Sequence, residues 1–458
     1  MEAINSSYVI NKAMQGKTLL YLLLLEVSIL GLTLYDKIFG LFILVLLTCA
    51  ALFFIIEKKP EYSIIFIIFS ILLGPISTIP LKGKIPQLYF IDVVLSLAFF
   101  ILLLKYLLLK DTFSISFSFI ELLFLVFILY SFVTILQSVD FFRGLASLRN
   151  YLMGWFVFGL VLRIINNQKQ IEKLFWMLMI WGVCLSLIEI YSILSQGNIL
   201  LTVITKNVHL SWGKSNYIAS FYALLIPLGV SILFTKNLST QTKLLLMSFI
   251  LLMITSIFLT GSRGGVVALA IGFLVLLWRF RSWQTLVAFL FFCFLVGVVI
   301  FFNPSSQIIW QRLVGYQTSP SVFSRIELWT ECIKIFKESP ILGVGLGNVN
   351  YHMKLSGALF VKAHNLILEL LSETGIIGFI IFAGLFYKVF RIQIENCINI
   401  QNGFQDSLAW GILAGTIAVF SHSMVEPNIS SYQFSLVFWT VIGISVKQEE
   451  FRKIGKKI

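Results

Sequence analysis

The sequence predicts an all-α membrane protein that crosses the bilayer many times. The 458-residue chain is 59% hydrophobic and 12% charged, with a mean hydropathy of +0.95. A soluble domain is about 45–50% apolar and about 25% charged, so this composition excludes an ordinary soluble enzyme and a disordered chain. Apolar runs long enough to cross the hydrocarbon core, about 20 residues each, recur along the sequence. Lys and Arg concentrate in the loops on one side of these runs.

The apolar runs predict about fourteen transmembrane helices. They lie near 18–34, 38–56, 62–80, 88–109, 116–138, 146–165, 173–195, 216–234, 243–261, 264–280, 284–302, 372–391, 405–423 and 430–446. Two neighbouring pairs, the first two runs and the runs around Gly261, are joined so tightly that the count falls to about twelve or thirteen if they merge. No small-residue cleavage site follows the first run, so we expect that run to remain as an anchor.

The basic loops predict that both termini are cytoplasmic, in a multi-pass membrane protein. The long polar loop after the eleventh run then lies on the outer face, and loops of this length usually carry function. We divide the chain into an N-terminal transmembrane bundle (1–212), helices that carry a Ser-Arg-Gly-Gly turn (213–302), a large extracytoplasmic loop with short helices (303–371), and C-terminal helices with a basic tail (372–458).

The net charge of +13, from 34 Lys+Arg against 21 Asp+Glu, predicts an anionic partner. Nucleic-acid binders are also basic but are not this apolar, so we expect membrane lipids and an anionic substrate instead. Several basic residues face outward, which the positive-inside rule does not explain: Arg143, Arg149, Lys206, Lys214, Arg263, Arg312 and Arg325. The five cysteines and four histidines lack the spacing of a disulfide framework or a metal site, so we expect no cofactor.

A turn of small residues, Thr260-Gly261-Ser262-Arg263-Gly264-Gly265, separates two predicted spans. Arg263 near the hydrocarbon edge is costly unless it is paired or hydrated. Gly264 and Gly265 would let an anion approach the backbone N–H groups at the start of the next helix, where the dipole favours negative charge. The same small residues would equally let two helices pack, with Arg263 reaching the lipid headgroups. The residues alone leave both readings open.

The predicted outer loop contains an amphipathic helix and a glycine-rich turn. Ser324 to about Lys337 has the pattern of such a helix, and Arg325 on it is a second candidate phosphate ligand or one charge on a solvated face. Gly343, Gly345 and Gly347 beyond it indicate a flexible turn.

A second helix is predicted from about Val361 through Glu373, with Gly375 as its cap. His364 near its start is a candidate general base, and the competing reading is an ordinary polar residue at a helix start. Asn365 and Glu369 share one face of this helix with Glu373, because residues four apart are neighbours on a helix.

Polar residues elsewhere give weaker signals. Arg149 near the predicted start of the sixth span and Asn216 at the start of the eighth are more typical of snorkelling and capping than of catalysis. Ser421, His422 and Glu426 lie near the outer end of the thirteenth span, and the residues alone give them little weight as catalytic groups.

The order of these motifs resembles the O-antigen ligase and O-antigen polymerase superfamily of bacterial membrane glycosyltransferases. The residues that carry the resemblance are Ser262-Arg263-Gly264-Gly265, Arg325 with Trp329, Ser339-Pro340-Ile341-Leu342-Gly343-Val344-Gly345-Leu346-Gly347-Asn348, Ala363-His364-Asn365 and Glu373-Thr374-Gly375-Ile376-Ile377-Gly378. The resemblance implies an enzyme of the bacterial cytoplasmic (inner) membrane that takes a glycan from undecaprenyl diphosphate at the outer face of that membrane. The acceptor is a lipid A-core sugar for a ligase and another lipid-linked glycan for a polymerase.

The resemblance also implies residue roles. Arg263 and Arg325 match the pyrophosphate-binding arginines of the family, His364 matches the proposed base, and Arg149 fits a further arginine less surely. Many members carry Asp-Pro-Asn where this chain has Lys214-Ser215-Asn216, so only Asn216 carries over. We assign supporting roles to Asn216, Gly264, Gly265, Asn365 and Glu369.

Two questions remain open at the level of sequence, the kind of acceptor and the class of protein. We expect a metal-independent transfer with inversion, since no carboxylate cluster suggests a divalent ion. The sequence does not decide between polymerase and ligase. The rival from another class is a membrane transporter of a small solute or glycolipid, which the many spans would suit, although the sequence lacks the paired repeats that many transporters carry.

Overall fold

A computed structural model describes ten stretches of the chain. They are residues 61–73, 78–79, 88–108, 117–195, 215–235, 238–281, 287, 320–353, 363–399 and 403–455. The spans expected near 18–34 and 38–56, most of the span near 284–302, and Lys206, Lys214 and Arg312 lie outside these residues.

The described part is helical, apart from one pair of two-residue strands. The helices are α1 (Glu61–Ser70), α2 (Phe90–Leu108), α3 (Phe119–Leu136), α4 (Phe141–Ile164), α5 (Gln168–Ser195), α6 (Ser215–Leu233), α7 (Thr240–Leu259), α8 (Arg263–Phe280), α9 (Pro320–Glu338), α10 (Val349–His352), α11 (Leu366–Asn399), α12 (Phe404–Ser423) and α13 (Tyr432–Gly455). Strand β1 (Thr78–Ile79) pairs antiparallel with β2 (Leu88–Tyr89).

The predicted fold class, an all-α multi-pass membrane protein, is confirmed. Seven helices of the described residues, α3 to α8 and α11, are long and apolar enough to cross a membrane. The span expected near 62–80 is wrong, because α1 ends at Ser70 and a 3-10 turn over Ile71–Leu73 follows. Gly74-Pro75 comes next in the sequence, and a residue before proline is disfavoured in the helical conformation.

The chain divides into two compact units. The smaller unit contains α2 and the part of α1 up to Ile67, and its buried side chains include Ile64, Val94 and Leu95. The larger unit contains the strand pair and every element from α3 onward.

The core of the larger unit forms where α12 and α13 pack among the other helices. Helix α12 packs against α6, α8 and α11, while α13 packs against α4 and α11. Trp439 of α13 is fully buried and its ring lies 4.2 Å from Phe124 of α3, 5.8 Å from Phe158 of α4 and 5.7 Å from Phe386 of α11, measured between centroids. Aromatic contacts at these distances stabilise a packed helix junction.

Ion pairs mark one end of this bundle. Arg279 at the end of α8 lies 3.1 Å from Asp406 at the start of α12. Arg163 at the end of α4 contacts Glu121, which is 1% exposed in the first turn of α3. Helices α8 and α12 are therefore antiparallel, and the start of α8 meets the end of α12 at the opposite end, which we call the His364 end of the bundle.

Helix α11 changes direction at Gly375, as expected of a cap. Gly375 has φ +65° and ψ −169°, so two helical segments meet there. The expected glycine-rich turn runs back along the first segment, where Val344 N–H donates to Ser372 O and Gly345 N–H donates to Glu373 O, both at 2.9 Å. These bonds satisfy carbonyls at the end of a helical segment and hold the turn in one conformation. The turn is therefore not flexible, contrary to the expectation from its glycine content.

The predicted amphipathic helix is confirmed as α9. Its buried face carries Leu328, Cys332 and Ile335, which form one apolar cluster with Val349, Met353 and Ala363. Ala363, the residue directly before His364, thus packs against the buried face of α9.

Candidate functional site

The Ser-Arg-Gly-Gly turn forms the N-terminus of α8. Ser262 is the N-cap, and its hydroxyl accepts a hydrogen bond from Gly265 N–H at 3.2 Å. Arg263 is the first helical residue and its side chain is exposed. An N-terminal turn presents backbone N–H groups and the positive end of the helix dipole.

The two glycines of this turn serve helix packing. A Cβ on Gly265 would lie 2.6 Å from Cβ of Ala219, and one on Gly264 would lie 3.0 Å from Cδ2 of His422. The packing explanation considered from the sequence therefore holds for both glycines. It does not account for the choice of arginine at position 263, where the side chain is exposed.

A chain of hydrogen bonds joins this turn to His364. The Ser262 hydroxyl donates to Oδ1 of Asn216 at 2.9 Å, and Nδ2 of Asn216 donates to Oε2 of Glu426 at 2.9 Å. The same carboxylate oxygen lies 2.9 Å from Nδ1 of His364. We call Ser262, Asn216, Glu426 and His364 the polar chain; it connects the starts of α6 and α8 with the segment before α11 and the turn after α12.

The pairing with Glu426 fixes the imidazole of His364. Glu426 is 5% exposed and His364 is 29% exposed, so the carboxylate is buried and the ring is partly open. A carboxylate that accepts the Nδ1 proton selects the tautomer in which Nε2 carries a lone pair. A buried carboxylate also stabilises the imidazolium that forms when Nε2 takes a proton. The pair has the arrangement of a general base with its orienting acid.

The backbone at His364 is held in an uncommon conformation. His364 has φ +50°, in the left-handed region that non-glycine residues rarely adopt. The next residue, Asn365, caps α11 by accepting the Leu368 N–H at 3.1 Å, and its Nδ2 donates to Met424 O at 3.2 Å. Asn365 therefore ties the start of α11 to the turn that carries Glu426.

His422 supports the same turn from inside the bundle. It is 1% exposed, and its Nδ1 lies 2.8 Å from the Ser220 hydroxyl and 3.2 Å from Nδ2 of Asn428. Its carbonyl accepts the Glu426 N–H at 2.9 Å, and its ring packs against Gly264. His422 thus links the position of Glu426 to the position of the Ser-Arg-Gly-Gly turn.

Comparison with known protein families bears on this arrangement. Residues 248–383 match a family model described as O-antigen ligase. Over these residues the chain is similar to the O-antigen ligase family. No curated protein matches the chain.

The O-antigen ligase match covers part of the polar chain. Ser262, Arg263, Arg325 and His364 lie within the matched residues, whereas Asn216 and Glu426 lie outside them. Asn216, to which the sequence analysis already assigned a supporting role, and Glu426 thus join the candidate site from parts of the chain that the family model does not reach.

The other predicted site residues occupy three places near the His364 end. Arg149 is half-buried on α4, with its guanidinium carbon 4.8 Å from the centroid of the Tyr432 ring. Glu369 is 7% exposed on α11, and its Oε1 accepts a hydrogen bond from the Ser430 hydroxyl at 3.2 Å. Arg325 is half-buried in the second turn of α9 and forms no hydrogen bond or ion pair with the residues that the structure describes.

Sequence reasoning missed Glu426 and His422, to which it gave little weight. A signal was present in the sequence, since the apolar α12 ends in Ser421-His422-Ser423, and Glu426-Pro427-Asn428 follow within a few residues. Ionisable residues at the end of an otherwise apolar span are functional candidates by default.

Proposed function

We propose that this O-antigen ligase-type membrane glycosyltransferase moves a glycan from undecaprenyl diphosphate to an acceptor hydroxyl at the outer face of the bacterial cytoplasmic membrane. The observation that carries the proposal is the polar chain, which couples His364 to the turn that bears Arg263. The family match supports the reaction class, and the geometry supports the residue roles.

His364 would act as the general base. Its Nε2 takes the proton of the acceptor hydroxyl while the hydroxyl oxygen forms a bond to the anomeric carbon of the donor. The bond between the anomeric carbon and the diphosphate oxygen breaks, and its electron pair leaves with the diphosphate. The Glu426 carboxylate offsets the positive charge on the His364 ring until the proton passes to solvent.

Arg263 would bind the diphosphate leaving group, with Arg325 and Arg149 as further ligands. A guanidinium binds phosphate oxygens in a bidentate geometry, and the start of α8 adds backbone N–H groups. Charge grows on the leaving oxygen in the transition state, so a fixed cation there lowers the barrier. Attack from the side opposite the diphosphate inverts the anomeric centre.

Transfer by membranes that contain the full chain tests this proposal. The substrate is the lipid-linked glycan that accumulates in a strain lacking the gene, and the products are separated on gels. We expect His364→Ala and Arg263→Ala to abolish transfer while remaining inserted in the membrane. Full transfer by either variant would refute the assigned roles. In cells, loss of long chains on deletion indicates a polymerase, and accumulation of unattached polymer indicates a ligase.

A further inference from the structure

A polar cluster lies inside the apolar part of the bundle, where α5, α6 and α7 meet. Its members are Glu189 on α5, Tyr222 on α6 and Ser256 on α7, each 0% exposed. All three helices are long and apolar enough to cross a membrane. The Tyr222 hydroxyl donates to Oε2 of Glu189 at 2.6 Å, and Ser256 faces the same hydroxyl. We call these three residues the Glu189 cluster.

Close packing of the three helices holds this cluster in place. A Cβ on Gly182 of α5 would lie 2.6 Å from Sδ of Met253 on α7 and 3.1 Å from Cδ1 of Leu225 on α6. Leu225 and Met253 each lie about one helical turn from the cluster member on the same helix. Tyr222 is about two turns, or about 10 Å, inside the start of α6. The cluster is therefore an enclosed feature of the bundle and not part of its surface.

The Glu189 carboxyl has no cationic neighbour among the described residues. Its Oε1 is buried without a hydrogen bond, and Tyr222 is the titratable side chain that faces the carboxyl from the helices packed against α5. A carboxylate in an apolar interior is strongly unfavourable unless it pairs with a cation, binds a metal or takes a proton. Glu189 therefore requires a positive charge that the part of the chain described by the structure does not supply.

Ser256 distinguishes a bound metal cation from a bound proton. Its hydroxyl forms no hydrogen bond with any residue that the structure describes, although it faces the Tyr222 hydroxyl. A proton on Glu189 would neutralise the carboxyl and leave the Ser256 oxygen unsatisfied, which is unfavourable for a buried group. A metal cation bound by Oε1 of Glu189 and Oγ of Ser256 would satisfy both oxygens at once.

The charge of the cluster favours a monovalent cation. Glu189 is its single carboxylate, so it neutralises one positive charge, and a divalent ion would leave an uncompensated charge in an apolar interior. Carboxylate and hydroxyl oxygens are ligands for hard cations rather than for soft transition metals. Among the described residues, moreover, no group of three His, Cys, Asp or Glu side chains is placed to hold a metal ion.

We propose that the Glu189 cluster binds one sodium ion, in competition with a proton, and that the ion holds α5 and α7 against α6. The cluster shares no residue with the polar chain, and the ion takes no part in the transfer step. This inference is therefore independent of the proposed function, and neither stands or falls with the other.

Binding of radioactive sodium to the purified full-length protein in lipid nanodiscs tests the inference. N-methyl-D-glucamine chloride keeps the ionic strength constant, because its cation is too large for an enclosed site. The wild type should bind a single Na⁺ per chain, and more weakly as the pH falls, since protons compete for the carboxyl. Glu189→Gln should weaken binding by more than about tenfold, because the amide keeps the size of the side chain and loses its charge. Ser256→Ala should weaken binding about fivefold, the effect of one lost neutral partner.

Two control variants separate loss of the ion from general damage. Glu172→Gln at the opposite end of α5, and Ser248→Ala at an exposed position on α7, should bind Na⁺ like the wild type. Na⁺ should also raise the melting temperature of the wild type and of both controls, but not that of Glu189→Gln, because a ligand that binds only the folded state stabilises it.

Three results would overturn the inference. They are the absence of saturable Na⁺ binding by the wild type, wild-type affinity in Glu189→Gln, and Na⁺ affinity that does not change with pH. If Glu189→Gln does not fold, unchanged affinity in Ser256→Ala overturns the inference instead.

Discussion

Replacing Glu426 with Gln should slow glycan transfer about 10- to 100-fold while substrate affinity stays near that of the wild type. Glu426 is 5% exposed and accepts from Asn216 and His364 through the same oxygen, both at 2.9 Å. A hydrogen bond to a charged group contributes about 1.5–3 kcal/mol and a neutral one about 0.5–1.5 kcal/mol. The bond to His364 matters most in the transition state, where the ring becomes positive. A loss of about 1.4–2.8 kcal/mol of transition-state stabilisation corresponds to the predicted 10- to 100-fold fall in kcat.

The assay uses the purified full-length chain with lipid-linked glycan from the deletion strain and follows release of polyprenyl diphosphate at several donor concentrations. Glu395→Gln is the matched control, because Glu395 on α11 pairs with Arg391 of the same helix and with Arg452 of α13 and is not a member of the polar chain. The control should transfer at the wild-type rate. A Glu426→Gln protein that folds normally and keeps wild-type kcat would refute the view that Glu426 stabilises the His364 imidazolium.

Three further predictions concern the surroundings of the site. Gly375→Ala should lower the free energy of unfolding in detergent by more than about 2 kcal/mol, because φ is +65° and the new Cβ would lie 2.2 Å from a backbone oxygen. In Gly384→Ala, on the same helix, the new Cβ meets nothing within 4 Å, so this control should be neutral. Equal melting temperatures for the two variants would contradict this reasoning. Burial raises the pKa of the Cys332 thiol to about 12, so the thiol stays protonated and should resist iodoacetamide at pH 8. In the control Ile333→Cys, the new thiol stands at an exposed position and should react readily. Mass spectrometry measures the extent of alkylation at each of the two positions. His364→Asn and His364→Ala should both abolish transfer. His364→Asn should unfold at a temperature closer to that of the wild type than His364→Ala does, since asparagine tolerates a positive φ better than alanine. The reverse order of melting temperatures would contradict a positive φ at this position.

The sequence predicted those parts of the fold that depend on local patterns. The spans near 116–138 and 264–280 correspond to α3 and α8 within a few residues, because the length and polarity of each run are properties of that run alone. Gly375 was identified as a helix cap because glycine adopts a positive φ without a steric penalty. The prediction of a span near 62–80 was wrong, because the hydropathy of a run takes no account of proline. The sequence contains Gly74-Pro75 within this run, and a residue before proline is disfavoured in the helical conformation.

The candidate site was predicted only in part, because it is assembled from distant segments. His364 and Arg263 belong to recognisable motifs, but Glu426 is 62 positions from His364 and 210 from Asn216. No local pattern contains those separations, and the packing of α12 against α6, α8 and α11 brings these residues together. The same packing explains why glycine stands at positions 264 and 265, since a Cβ there would meet neighbouring side chains. The sequence alone left helix packing and anion binding open as reasons for these glycines.

The central claim is that His364, oriented by Glu426, removes the proton of the acceptor hydroxyl as the diphosphate leaves. Its most direct test compares wild-type protein with His364→Asn in a reaction containing only purified protein and lipid-linked glycan from the deletion strain. The account predicts that the wild type lengthens or transfers the glycan and releases polyprenyl diphosphate in equal amounts, and that His364→Asn does neither although it still folds. Transfer by His364→Asn at the wild-type rate would contradict the account.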